Sequence, residues 1–176
     1  MTNQLPNEPD LDAGEQALQS AILVLVEGLI ESNPGPSLIL PGFGLDLAIW
    51  RMIDSAWIVK FLELKVFKGA RAGGVGFGNP NGTGSQVDLL LAPRDELKRF
   101  DNTIAWILGD ATQPIGKPRY VIFSSVEAKD AAMGIVGRGK QNNFRIRYFL
   151  EEQFLPWQDL CKEVAQFLVA SDIADA

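Results

Sequence analysis

The sequence predicts an α/β domain with a single hydrophobic core, and three observations indicate it. The chain has 176 residues, of which 47% are apolar and 22% charged, a balance typical of one folded domain. Apolar residues recur at helical spacing over residues 15–32 and again over 154–170. Between them, residues 57–67 and 119–126 are rich in the β-branched and aromatic residues that favour strands. Helical patterns on both sides of strand patterns favour helices packed on a sheet.

The N-terminal third divides into an arm, a helix and a hairpin. Residues 1–13 contain two prolines and no periodic pattern, so we expect a flexible arm ahead of a single domain over 14–176. The helix over 15–32 is stopped by the Asn-Pro-Gly-Pro run that follows it. Short strands are expected at 37–40, 45–52 and 57–67, and a tight turn at Asp54-Ser55 makes the last two a hairpin.

The remaining elements are less regular. Residues 69–84 hold seven glycines and little apolar mass, so we expect a long, mobile loop; its spacing matches no phosphate-binding fingerprint. Residues 85–91 and 95–108 are predicted to be mostly helical, and 119–126 to be a strand near the centre of a sheet covered on both faces. The amphipathic pattern over 154–170 predicts a closing helix.

Composition excludes several kinds of chemistry. The chain has no histidine, which excludes a Ser-His-Asp triad, histidine-bound zinc and imidazole as the proton carrier. Its one cysteine, Cys161, cannot form an internal disulfide, so we expect a reducing, cytoplasmic setting. The longest apolar run, 21–30, is too short to cross a bilayer, and no secretory signal is visible. Because the chain has no histidine and only one cysteine, any metal must be bound by oxygen ligands.

Charge is distributed unevenly along the chain. The net charge is −7 over residues 1–50, +6 over 51–147 and −5 over 148–176. A basic middle segment is compatible with a polyanion partner, and a solvated surface is the simpler explanation.

The predicted strand over 57–67 contains two charged residues among apolar neighbours. Alternation puts Glu63 and Lys65 on the same face as Phe61 and Phe67, with Leu64 on the other face. An ionised group removed from water costs several kcal/mol, so both charges need partners.

The hairpin register supplies one of these partners. With a two-residue turn at 54–55, Ile53 faces Ala56, and counting back along both strands places Asp46 opposite Glu63. Opposed like charges destabilise a sheet, and a divalent cation would resolve the conflict. Mg²⁺ prefers hard oxygen ligands, keeps several waters and bridges to phosphate, so Asp46 and Glu63 are the predicted metal ligands. Lys65 would orient or deprotonate a water, or neutralise charge on a phosphate.

Glu15 is a candidate third acid. On a helical wheel it leans toward the apolar stripe that contains Leu18 and Ile22, whereas Glu27 and Glu31 fall near the opposite side. An equally simple explanation is that Glu15 is a first-turn acid that stabilises the helix dipole.

The order Glu15, Asp46, Glu63-Leu64-Lys65 resembles the PD-(D/E)XK nuclease superfamily, which includes restriction-endonuclease-like enzymes and archaeal Holliday-junction resolvases. The resemblance covers residues 14–126. It implies a restriction-endonuclease-like α/β/α core with a mixed sheet and an N-terminal helix, and Mg²⁺-dependent (or Mn²⁺-dependent) hydrolysis of DNA. Leu45 stands where the family pattern usually has proline. Gln86 is similar to the polar residue that some members place after the ExK strand.

Basic residues outside this motif are candidates for phosphate contact. They lie in the glycine-rich segment and in a later basic stretch: Arg71, Arg138, Lys140, Arg145 and Arg147. A solvated loop and edge strand is the alternative for all five.

Two further interpretations remain open at this point. The chain could be a binding or assembly protein that keeps a nuclease fold without turnover, its four tryptophans serving as core or homodimer-interface anchors. Asp46, Glu63 and Lys65 could also form a structural ion-pair network in an unrelated α/β fold.

Overall fold

The computed structural model describes residues 5–32, 37–41, 45–53, 55–69, 74–77, 85–112, 118–132, 142–145, 149 and 151–170. The described helices are α1 (Glu15–Ser32), α2 (Ser85–Leu91), α3 (Arg94–Lys98), α4 (Ser125–Ala131) and α5 (Trp157–Val169). The described strands are β1 (Ser37–Pro41), β2 (Leu47–Ile53), β3 (Ala56–Phe67), β4 (Gly74–Phe77), β5 (Ile104–Asp110), β6 (Arg119–Ser124) and β7 (Asn142–Arg145). Short 3₁₀ turns occupy Leu11–Ala13 and Glu151–Gln153.

Five of the described strands form one mixed sheet in the order β1-β2-β3-β5-β6. The only parallel pair among them is β3 with β5, and the other neighbours are antiparallel. The α/β class, the mixed sheet and the N-terminal helix predicted from the sequence are therefore confirmed.

The β2–β3 hairpin has the predicted register. Ile53 pairs with Ala56, and Leu47 pairs with Leu62 at the other end of β2. Ser55 has φ of 68°, the left-handed conformation that a two-residue hairpin turn requires. β3 extends well beyond the end of β2, and its residues 63–67 pair with β5 alone.

Helices cover both faces of the sheet, which gives three layers. On one face, α1 and α5 pack on a core that includes Leu62, Leu64 and Val66 of β3. On the other face, α2 and α4 pack on a core that includes Phe67 and Trp106. The alternation of side chains along β3 thus divides its residues between the two faces as predicted. It places Glu63 and Lys65 on the face covered by α2 and α4.

The prediction of helix over 95–108 is wrong for its second half. Helix α3 ends at Lys98, and the run from Ile104 to Leu108 belongs to strand β5, every residue of which is buried. A strand between two neighbours and under helices on both faces has no polar alternation, so its apolar run cannot be distinguished from a buried helix by periodicity.

Strand β6 differs from the prediction in length and position. It ends at Ser124, whose side chain accepts a hydrogen bond from the Glu127 backbone N–H and begins α4 in a capping box. β6 lies at the edge of the five-stranded sheet, not near its centre. Its residues Tyr120, Val121 and Phe123 are still buried because helices pack on both of its faces.

The glycine-rich segment contains a strand where a loop was expected. Residues 74–77 form β4, which pairs with β7 in a separate two-stranded sheet that sets Gly74 opposite Arg145. The partner strand lies almost 70 residues later in the chain, so no local pattern could reveal the pairing. The predicted mobility of the rest of 69–84 falls largely on residues outside the described ranges.

Residues 5–13, expected to be part of a flexible arm, lie against the core. The Trp157 indole N–H donates to the Pro6 carbonyl at 2.8 Å, and Leu11 is buried. A Cβ atom at Gly109 would lie only 3.0 Å from the Leu11 side chain, so the glycine in β5 makes room for it.

In the described part of the chain, none of the helices has both the length and the apolar character needed to span a bilayer.

Candidate functional site

The site forms where β2 stops and β3 continues. The last pair of the hairpin is Leu47 with Leu62, and Asp46 lies one residue beyond it. The Leu64 backbone N–H, which has no β2 partner at this point, donates to Asp46 Oδ2 at 2.7 Å. The end of the hairpin therefore brings the Asp46 carboxylate next to the Glu63-Leu64-Lys65 triplet.

Glu63 is the buried centre of the site. Its side chain is fully buried, and its Oε1 atom accepts hydrogen bonds from Lys65 Nζ and Gln86 Nε2, each at 2.5 Å. Its second oxygen, Oε2, is also buried and has no hydrogen-bond partner among the described residues. A buried carboxylate oxygen without a donor is unfavourable, and it is the atom that a cation would satisfy.

Lys65 connects Glu63 to the first residue of α1. Its Nζ lies 3.7 Å from Glu15 Oε2, and it also donates to the Leu64 carbonyl at 3.1 Å. The Lys65 side chain is almost fully buried, whereas that of Glu15 is about half exposed. Glu15 is thus a first-turn acid and a member of the site at once.

The environment raises the pKa values of both Glu63 and Lys65, for different reasons. Burial raises the pKa of Glu63 from 4.5 to about 7; the Lys65 charge opposes this shift, and the Asp46 and Glu15 carboxylates reinforce it. Burial would lower the pKa of Lys65, but the Glu63 and Glu15 carboxylates outweigh it and hold that pKa above its ordinary value. The same ion pair thus keeps Lys65 as an ammonium, but it only partly offsets the effect of burial on the pKa of Glu63.

The raised pKa of Glu63 predicts a pH dependence for the metal-free protein. Because Glu63 has a pKa of about 7 in the folded chain and 4.5 ordinarily, its contribution to stability is fully present below pH 4.5 and is lost as pH rises through 7. We expect the free energy of unfolding to fall by roughly 3 kcal/mol across this window from Glu63 alone. Denaturant unfolding in EDTA at a series of pH values measures it. Glu63→Gln has no carboxyl to titrate there, so an equal slope in that variant would refute the assignment.

Asp46 and Glu63 are the residues of the site that could hold a small divalent cation. Asp46 and Glu63 supply carboxylate oxygens, and Glu63 Oε2 lacks a partner among the described residues. The described ranges contain no cluster of three or more histidine, cysteine or acidic side chains close enough to form a metal site by themselves. Mg²⁺ is commonly held by one or two carboxylates, with waters and substrate phosphate completing its coordination, so Asp46 and Glu63 could hold it.

The structure brings five of the predicted site residues together: Glu15, Asp46, Glu63, Lys65 and Gln86. Of the predicted phosphate contacts, Arg71, Arg138, Lys140 and Arg147 lie outside the described residues. Arg145 is placed in β7 through its backbone pairing alone.

Gln19 is a neighbour of the site that the sequence pattern did not identify. Its Nε2 lies 3.5 Å from the Asp46 carbonyl oxygen, at the limit of a hydrogen bond. The available signal was its position four residues after Glu15, which puts both side chains on the same side of α1.

Comparison of the chain with protein-family models, with curated proteins and with solved structures finds no match. The resemblance to PD-(D/E)XK nucleases therefore stays a prediction from the sequence, and the functional proposal rests on the geometry of the site.

Proposed function

We propose that the chain hydrolyses phosphodiester bonds of DNA with Mg²⁺ or Mn²⁺ bound by Asp46 and Glu63. The observation that carries the proposal is the convergence of these two carboxylates with the Lys65 ammonium, together with a Glu63 oxygen that has no partner in the described part of the chain. If the ion pair were purely structural, Glu63 Oε2 would be buried without a hydrogen-bond partner and without a compensating interaction.

Each residue would have a distinct task in this reaction. Asp46, fixed by the Leu64 N–H, and Glu63, fixed by Gln86, would hold the cation. When bound, the cation would supply Lewis-acid polarisation of the phosphate and lower the pKa of a coordinated water. Lys65, held as an ammonium by Glu63 and Glu15, would donate a hydrogen bond and stabilise negative charge on the phosphate. The oxygen of one water would form a bond to phosphorus and release a proton to solvent, while the bond from phosphorus to the leaving sugar oxygen would break and that sugar oxygen would take up a proton from solvent.

Asp46→Asn tests the proposal with little disturbance of the fold. The asparagine carbonyl can still accept the Leu64 N–H, but the negative charge is gone, so we expect at least tenfold weaker Mg²⁺ binding and a corresponding loss of cleavage. Isothermal titration with Mg²⁺ and with Mn²⁺, and cleavage of a labelled plasmid with Mg²⁺ or with EDTA, measure the two effects. Asp88→Asn, on the exposed side of α2, is the matched control and should behave as wild type.

The outcomes separate the interpretations that the sequence left open. Cation binding that depends on Asp46 without cleavage of any DNA would favour a non-catalytic protein that keeps the site. If Mg²⁺ and Mn²⁺ do not bind the wild-type protein at all, the metal-dependent proposal fails and the structural ion-pair network remains.

A further inference from the structure

The positive charge of Lys65 does not balance the negative charges of the site. Three carboxylates, those of Glu15, Asp46 and Glu63, surround a single buried ammonium, and Lys65 is paired with two of them. A DNA substrate brings further negative charge to this place. Binding it requires a cation at the surface of the site whose charge is not already matched by a carboxylate.

Lys68 has these properties. It lies three residues beyond Lys65, just past the end of β3, and it is exposed. Its Nζ donates to a backbone carbonyl, that of Asp12, and none of the carboxylates in the described ranges lies within ion-pair distance of it.

Lys68 also lies directly at the start of α1. A Cβ atom placed on Gly14 would be 3.4 Å from Lys68 Nζ, and the next residue, Glu15, is the one that approaches Lys65. Both ammonium groups therefore lie next to the start of α1. The N-terminal end of this 18-residue helix adds a partial positive charge in the same place.

We propose that Lys68 binds a backbone phosphate of the substrate next to the phosphate that is cleaved. The inference rests on the proposed function and extends it by assigning a substrate-positioning residue outside the ExK motif. Lys68 acts on binding and not on the reacting atoms, so its removal raises KM and leaves kcat unchanged.

Salt dependence of DNA binding tests this role. The probe is a fluorescein-labelled 20-base-pair duplex in EDTA, where cleavage cannot occur, titrated at several NaCl concentrations. Each phosphate contact contributes about −0.9 to the slope of log K against log salt, so Lys68→Gln should reduce the steepness of the slope by about 0.9 and weaken binding about eightfold at 0.1 M salt.

Matched variants separate a phosphate contact from a structural role. Lys68→Gln keeps a donor for the Asp12 carbonyl without the charge, and Lys68→Arg keeps both, so the arginine variant should restore the slope. Lys162→Gln removes an exposed lysine that is paired with Asp159 on α5, and it should leave the slope unchanged. Thermal unfolding of each variant checks that the fold is kept.

The inference and the proposed function fail in different ways. A wild-type protein that cleaves DNA, combined with equal slopes for wild type and Lys68→Gln, overturns the role of Lys68 alone. A wild-type protein that neither binds nor cleaves DNA overturns the proposed function, and the assignment of Lys68 with it.

Discussion

Glu63→Gln is expected to abolish DNA cleavage and to weaken Mg²⁺ binding more than 100-fold. The carboxylate supplies a buried oxygen, Oε2, that has no hydrogen-bond partner among the described residues, and an amide group there presents a donor to the cation in place of a charged acceptor. Loss of a direct ligand should exceed the 10- to 100-fold effect typical of residues that only support a ligand. Titration with Mg²⁺ and single-turnover cleavage assays measure the two losses.

The glutamine variant should remain folded, because its carbonyl can still accept hydrogen bonds from Lys65 and Gln86. Glu96→Gln, on the exposed surface of α3, is the control for a generic loss of acidic charge. Cleavage by Glu63→Gln within tenfold of wild type would remove Glu63 from the chemistry and with it the proposed mechanism.

Lys65→Met is expected to separate catalysis from metal binding. Removing the ammonium leaves Glu63 buried beside Asp46 and Glu15, so the metal-free variant should lose about 3 kcal/mol of stability at pH 8 and much less at pH 5, where Glu63 takes up a proton. Added Mg²⁺ should recover much of the loss at pH 8, because a cation can replace the missing positive charge. Cleavage should fall at least 100-fold even with the metal bound.

A second buried lysine on the same strand provides the control. Lys60 points to the other face of the sheet, where its Nζ donates to the Asn102 carbonyl and lies 5.1 Å from the centre of the Phe167 ring. Lys60→Met should lower stability to a similar extent at both pH values and leave cleavage per folded molecule unchanged. Equal behaviour of the two methionine variants would show that Lys65 is structural.

The part of the site that the sequence predicted is the part that local geometry determines. A two-residue turn sets the register of the hairpin, and this register places Asp46 next to the Glu63-Leu64-Lys65 triplet. The helical wheel likewise oriented Glu15, because the period of 3.6 residues holds along a regular helix. Gln86 was placed from the family resemblance and not from geometry.

The elements that were missed depend on contacts between distant segments. Residues 104–108 of β5 are all apolar because α helices cover both faces of this strand, and that fact is absent from its own sequence. The pairing of β4 with β7 depends on residues far apart in the chain. Lys68 belongs to no sequence motif. It is a candidate for phosphate binding only because the folded chain places the start of α1 beside it.

The five side chains of the site come from α1, the residue just before β2, the end of β3 and α2, segments spread over more than 70 residues. An unfolded chain cannot assemble them, so a divalent ion at this position would bind the native state alone. By mass action, a free concentration 100 times Kd would stabilise that state by about 2.7 kcal/mol. Chelation would then lower the melting temperature as well as the activity, and a thermal-shift series across metal salts would rank the preferred ion before any substrate is known.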